Sequence, residues 1–365
     1  MNKRKKLLFV GQNLCVGGVQ TAFLNHLKML AKDPQNDITV FLFSKGKLFE
    51  QIPQGVKVIV GNKMLRLISL PYDDVKQSKK TVDIILRAGA VAAARLIGVE
   101  RFYRMCFKKL PSHYDMAASY FTDGLNGTFN RGTNLFVSDY VEANEKMTWI
   151  HNDPILANFD REYCRRIYKP FDKIVCVSDM VREKFNLFLP EYKNKTITFH
   201  NVFDEERVQL LAKEFVPFEK SNFDIVTVAR EDNLQKRIDG IIRLCYKLKN
   251  EGISDFKWRV VGGGPSLERN RELSKELGVD DIITLEGEKI NPYPYIYASD
   301  LFALYSAFEG YPMVVGETMA LNIPILTTNY AAAKEQIPDD KGVIASDDEE
   351  FYRIIKDFIL HKIKA

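Results

Sequence analysis

Thirteen short apolar runs, most of four to six residues, alternate along the chain with stretches of helical periodicity. Seven come first: Leu7–Val10, Ile38–Phe43, Val56–Val60, Met116–Tyr120, Met147–Ile150, Lys173–Val177 and Thr196–Phe199. Six follow: Asp224–Ala229, Lys257–Val261, Ile282–Leu285, Leu301–Leu304, Ile323–Leu326 and Gly342–Ile344. Continuous runs of this kind, rather than apolar–polar alternation, mark strands buried on both faces, and the intervening helices supply the covering layers. The fold class expected is therefore α/β, with doubly wound parallel sheets.

The chain has 365 residues, and at roughly 150 residues per domain it divides into two. The series breaks between His200 and Phe223, which gives domains at 1–205 and 206–347 and a terminal helical segment, 348–365, that packs on either domain or across both. A composition of 46% hydrophobic and 27% charged residues excludes disordered and collagen-like classes. The five cysteines, Cys15, Cys106, Cys164, Cys176 and Cys245, form no C-x-x-C pair, so neither a disulfide framework nor a zinc site is expected and a reducing cytoplasm fits. The basic start, Met1–Lys6, precedes an apolar run too short for a signal peptide. The nearest approach to a membrane span, Ile84–Val99, is interrupted by Arg87 and Arg95.

A net charge of +4 conceals a division. Residues 1–200 carry 31 Lys and Arg against 19 Asp and Glu, and residues 201–365 carry 21 against 29. The basic excess concentrates at 76–109, where nine cations and two anions interleave with apolar residues. Amphipathic helices covering a sheet with snorkelling Lys and Arg explain this pattern. A peripheral face for an anionic membrane explains it as well, and a nucleic-acid surface less well.

Chemistry-bearing residues cluster just after the expected strands. Gly17 and Gly18 precede a helical run from Thr21 to Ala31, where backbone N–H groups and a helix dipole suit an oxyanion; a tight turn explains the pair equally. His151 follows the strand ending at Ile150, beside Asp153, in either a structural or a catalytic role. Arg230 ends the strand Asp224–Ala229, and Lys236 is expected at the start of a helix spanning 235–249, so two cations meet a strand's carboxyl end. Gly262, Gly263 and Gly264 form a loop with unobstructed backbone donors. Glu309, in a loop, and Glu317, on the helix that starts near Pro312, present two carboxylates eight positions apart, a little over two turns. A carboxylate accepting from vicinal hydroxyls suits ribose.

Taken in order, Gly17-Gly18, Trp149-x-His151-x-Asp153, Val177-Ser178, Asn201-Val202, Arg230 with Lys236, the glycine loop and Glu309-x7-Glu317 resemble the retaining GT-B glycosyltransferases of family 4. The resemblance spans nearly the whole chain and is strongest at Glu309-Gly310-Tyr311-Pro312. It implies two Rossmann-like domains facing a central cleft, the first binding a saccharide or lipid-linked saccharide acceptor and the second a nucleotide sugar, UDP- or GDP-linked. Arg230 and Lys236 would neutralise the diphosphate, Glu317 would hold the ribose, and Glu309, with Gly310, Tyr311 and Pro312, would lie near the donor sugar. Gly262 to Gly264 would approach the nucleotide, His151 the donor sugar, and Gly17-Gly18 the phosphate or acceptor.

The absence of Asp-x-Asp fits a reaction with no metal and no other cofactor. Capsular, exopolysaccharide or cell-wall polysaccharide synthesis at the inner face of the plasma membrane is the role the resemblance implies. A silent partner subunit and a sugar-nucleotide epimerase are the alternatives. Three positions depart from the family: Gln20 where Glu is common, Gly263 where an acid is common, and Arg237 where Gly is frequent.

Overall fold

A computed structural model describes residues 4–72, 75, 80–124, 129 and 132–360. Chain contacts divide it into two compact units, Met1–Val202 and Phe203–Ala365. The division falls three residues before the end of the first domain read from sequence.

The first unit runs β1 (Lys5–Gly11), α1 (Gly18–Ala31), β2 (Asn36–Leu42), β3 (Lys57–Val60), α2 (Lys63–Ser69), α3 (Thr81–Ile97), α4 (Val99–Cys106) and β4 (His113–Ser119). It continues with α5 (Thr133–Tyr140), β5 (Glu142–Ile150), α6 (Arg161–Tyr168), β6 (Lys173–Cys176), α7 (Asp179–Phe188) and β7 (Thr196–Thr198). The second unit runs α8 (Glu205–Leu211), β8 (Asp224–Val228), α9 (Ile238–Asn250), β9 (Lys257–Val261), α10 (Leu267–Glu276), β10 (Ile283–Gly287) and α11 (Tyr293–Tyr297). Then come β11 (Leu301–Leu304), α12 (Met313–Ala320), β12 (Ile325–Thr328), α13 (Ala333–Gln336), β13 (Gly342–Ala345) and α14 (Asp348–Ile359). Each of the thirteen apolar runs has its strand.

The strand orders are β3-β2-β1-β4-β5-β6-β7 and β10-β9-β8-β11-β12-β13, and neighbouring strands pair in parallel in both. Apart from β7 the two orders are the same doubly wound arrangement, so each sheet reverses its winding beside its own first strand: between β1 and β4, and between β8 and β11. Open α/β sheets bind ligands outside the carboxyl ends of the strands at that reversal.

Burial explains the continuous apolar runs. In β8, Ile225 packs into a core with Ile241, Ile242, Trp258 and Phe351, while Val226 packs into a separate core with Ile296, Phe302 and Val315. Along β11, Leu301 and Ala303 face the first core and Phe302 and Leu304 the second. Neighbours thus serve opposite faces, and each large side chain contributes about 1.5–3 kcal/mol on burial. The terminal helix α14 belongs to the second unit: Asp347 caps it by accepting from Glu350 N, and Phe351, Ile354, Ile355 and Phe358 enter the first of these cores. Residues 361–365 lie outside the described residues.

In the basic segment, Lys76–Lys79 lie outside the described residues. From Thr81 onward it forms α3 and α4, which cover the first sheet through Ala90, Ala94, Phe102 and Tyr103. Leu96 and Met105 remain outside, 86% and 76% exposed, with Val82 and Ile85 also exposed.

Candidate functional site

The carboxyl edge of the second sheet gathers the residues with the most specific chemistry. Lys236 lies in the loop before α9 and not on it, because Arg237 takes a left-handed conformation (φ 51°) and the helix begins at Ile238. This corrects the helix expected over 235–249. The same φ explains why glycine is at ease at position 237. Arg237 holds the strained turn with its side chain, paired with Asp348 at 2.6 Å and stacked over Tyr305 at 4.2 Å.

Lys236 Nζ is bonded to Glu309 Oε1, and that oxygen also accepts from Ser306 Oγ at 2.7 Å. Gln235 Nε2 donates to Glu309 Oε2 at 3.4 Å and to the Phe308 carbonyl at 3.2 Å. The loop is tied back by Ala307 N to the Gln235 carbonyl at 2.7 Å and by Thr328 Oγ1 to the Ser306 carbonyl at 2.6 Å. Glu309 is buried, so its charge is held by one cation and two neutral donors.

Arg230, by contrast, is exposed and among the described residues pairs with Asp232 alone, at 2.6 Å. The glycine loop lies against its backbone. A Cβ at Gly262 would sit 1.8 Å from the Ala229 carbonyl oxygen, and one at Gly264 would sit 2.4 Å from that of Glu231. Only glycine permits these approaches, which leave the loop in register with the strand end carrying Arg230.

Glu317 is on α12 and buried, and its Oε1 accepts from Tyr293 Oη on α11 at 3.0 Å. Burial raises its carboxyl to about 7, opposed by the Tyr293 bond. Glu309 and Glu317 therefore occupy separate hydrogen-bonding environments: one is locked to a lysine, and the other is met by a phenol. Pro312 stands at the entrance of α12 with its carbonyl accepting from Gln336 Nε2 at 2.9 Å; Gly310 is buried and Tyr311 half-buried in the loop before it.

In the first unit, α1 begins at Gly18 with no side-chain cap and no acid in its first turn. Gly18 faces open space, and the carboxamide of Gln20 lies against Gly17. His151 is buried; its backbone N–H donates to Thr122 Oγ1 at 2.8 Å, and its Nε2 lies 2.7 Å from the Tyr120 carbonyl. A carbonyl only accepts, so Nε2 carries the proton and Nδ1, which has no partner among the described residues, is an open acceptor. Burial lowers this imidazole to about 4. Asp153 is not its partner: the carboxylate accepts from Ile155 N and Leu156 N at 2.8 and 3.1 Å, closing its own turn.

Three partners escaped the sequence reading. Ser306, Gln235 and Tyr293 hold the two glutamates, and only the turn from β11 into its loop hinted at the first of them.

By architecture the chain has the GT-B glycosyltransferase fold. HepE of Anabaena, solved with UDP-glucose, superposes with a TM-score of 0.66 at 17% identity, over 98% of this chain and 90% of that one. Residues 209–365 match the family described as glycosyl transferases group 1. An uncharacterized glycosyltransferase of Methanocaldococcus jannaschii is 26% identical over 203 residues, 52% of this chain and 49% of that protein. The N-acetylgalactosamine-N,N'-diacetylbacillosaminyl-diphospho-undecaprenol 4-alpha-N-acetylgalactosaminyltransferase of Campylobacter jejuni is 31% identical over 153 residues, 41% of this chain and 40% of that protein. The matches thus span about half the length of these curated relatives or less.

Proposed function

We propose that this protein is a retaining glycosyltransferase that moves a sugar from a nucleotide sugar to a saccharide acceptor carried on a lipid diphosphate, in surface-polysaccharide synthesis. The observation that carries this reading is the buried Lys236–Glu309 pair, braced by Ser306 and Gln235, at the winding reversal of the sheet whose unit matches the glycosyl transferases group 1 model. The Campylobacter relative's name specifies a diphospho-undecaprenol substrate, which supports the lipid-linked acceptor. HepE was solved with UDP-glucose, which supports a nucleotide sugar.

In this reaction the bond from the anomeric carbon to the β-phosphate oxygen breaks, and the acceptor oxygen bonds to the same face of that carbon. The acceptor proton passes to the departing phosphate. Negative charge grows on the diphosphate, so preorganised cations favour the transition state over the ground state. Lys236, fixed in place by Glu309, supplies one such cation. Exposed Arg230 supplies the second by turning from Asp232 to the ligand, and no metal is required. Glu317 accepts from the ribose hydroxyls. Gly262 N–H is spent on the Gly287 carbonyl at 3.0 Å, so the loop's backbone donors come from Gly263 and Gly264; the Glu309–Pro312 loop backs the sugar, and Gly17-Gly18 opens α1 to an anion. His151 Nδ1 accepts from a sugar hydroxyl.

No described helix is long and apolar enough to cross a membrane. Contact with a lipid-borne acceptor is assigned to exposed Leu96 and Met105 among the cations of α3 and α4, a peripheral face suited to an anionic cytoplasmic leaflet.

Calorimetry with UDP-glucose and GDP-mannose, followed by transfer to short-chain lipid diphosphate saccharides, tests the proposal. Retention is read from the anomeric proton coupling of the product. Failure of both nucleotide sugars to bind would overturn the donor assignment, and an inverted product the mechanism.

A further inference from the structure

Glu231 has no part in the roles above, yet it stands between two of them. It follows Arg230 directly and is fully buried. Its backbone N–H donates to the Gly263 carbonyl at 2.9 Å, and its own carbonyl accepts from Ser266 N at 3.0 Å. One residue therefore joins the strand end bearing Arg230 to the glycine loop and to the entrance of α10. Among the described residues its side chain is anchored on one side: Oε2 accepts from Asn270 Nδ2 at 2.9 Å, and Oε1 has no partner there. Asn270 in turn exchanges hydrogen bonds with Asn233, at 2.8 and 3.1 Å, in the loop leading to Lys236.

A buried carboxylate with a bare oxygen is costly. We propose that Glu231 is a positioning residue for the donor diphosphate, fixing the glycine loop and the Arg230–Lys236 loop in the geometry that receives it. The inference rests on the nucleotide-sugar reading above.

The coupling follows from charge. Ionised Glu231 places a second, poorly solvated anion under the loop that offers its N–H dipoles to the ligand; the neutral acid leaves those dipoles to the ligand alone. The charged groups around it are Arg230 and Asp232 on its own segment, Glu268 and Arg271 on α10, and Glu288 beyond β10, whose Cβ lies against Gly263. Burial dominates and raises the carboxyl to about 7, with Asn270 and Arg271 opposing and Glu268 assisting. Donor binding and ionisation of Glu231 then oppose one another, and each weakens the other by the same factor.

The test is calorimetric titration of UDP-glucose and GDP-mannose into unsubstituted protein and Glu231→Gln between pH 6 and 8. The diphosphate of a nucleotide sugar does not titrate in this range, and Glu317 is common to both proteins. The expected ratio of dissociation constants, unsubstituted over variant, is about 1 at pH 6 and rises toward about 10 at pH 8, the limit for one proton linked to binding. Asn270→Ala, which removes the donor favouring the ionised form, should shift affinity at pH 8 in the same direction. A ratio independent of pH, or an Asn270→Ala variant weakened equally at every pH, assigns Glu231 a structural role only and overturns the proposal. Absence of binding by the unsubstituted protein at all pH values instead removes the donor reading on which it rests.

Discussion

Lys236 and Glu309 form an ion pair in which the carboxylate is almost wholly buried and the ammonium is mostly so. Their two loops come from different strands and are 73 positions apart in the chain. Removing one partner strands the other charge away from water. Lys236→Met is expected to lower unfolding free energy by about 3 kcal/mol, with part of that recovered in the double variant with Glu309→Gln. Urea denaturation measures the first effect and the cycle. Sugar transfer should be lost in both variants, which separates the catalytic demand for the cation from its structural one.

Glu317 and Glu231 should make the protein less stable as pH rises. Both carboxyls are raised to about 7 in the folded state from an ordinary value of 4.5. Their contribution is fully present below the unfolded value and is lost as pH rises to the folded one, amounting to roughly 3 kcal/mol per group. Thermal unfolding of Glu317→Gln against unsubstituted protein from pH 4.5 to 8 should show the variant gaining relative stability across that window. A constant difference would remove burial as the cause.

The two buried histidines among the described residues have the opposite sign. His26 and His151 are lowered to about 4 by burial, so the unfolded chain binds the additional protons between pH 4 and 6.5. Their contribution is present above that range and lost on acidification. Imidazole resonances of His151 should not titrate between pH 5.5 and 8, and the pH profile of transfer should have no limb arising from it.

Gly262→Ala places a methyl carbon where the Ala229 carbonyl oxygen already stands. The strand end must move, at a cost of about 1–3 kcal/mol, and Arg230 moves with it. Nucleotide-sugar affinity should fall at least tenfold, whereas Gly252→Ala, where a Cβ meets open space, should leave affinity unchanged while costing only local backbone strain.

Leu96 and Met105 make a further expectation testable. Replacing both with Glu should reduce co-sedimentation with vesicles rich in anionic lipid and leave nucleotide-sugar binding intact. The unsubstituted protein's vesicle binding should weaken with salt, since exposed charges are screened within about 10 Å at 0.1 M.

The sequence by itself determined the architecture. Each apolar run became a strand; in the central strands β8, β11 and β12 this is because a segment buried on both faces must be apolar at every position, a requirement local enough to be written in consecutive residues, whereas the edge strands β3, β10 and β13 are partly exposed. The positions after those strands were legible for the same reason: Arg230, Gly262 to Gly264, Glu309 and His151 all stand where a parallel strand has just ended. The tertiary structure decided what those side chains do to one another. Lys236 meets Glu309 instead of heading a helix, Asp153 closes its own turn instead of orienting His151, and Tyr293 meets Glu317. Glu231, unremarkable in sequence, is enclosed with half its carboxyl unpaired. Charge, hydrogen bonding and burial depend on which loops the sheet order brings side by side, and distances across a sheet have no counterpart in distances along the chain.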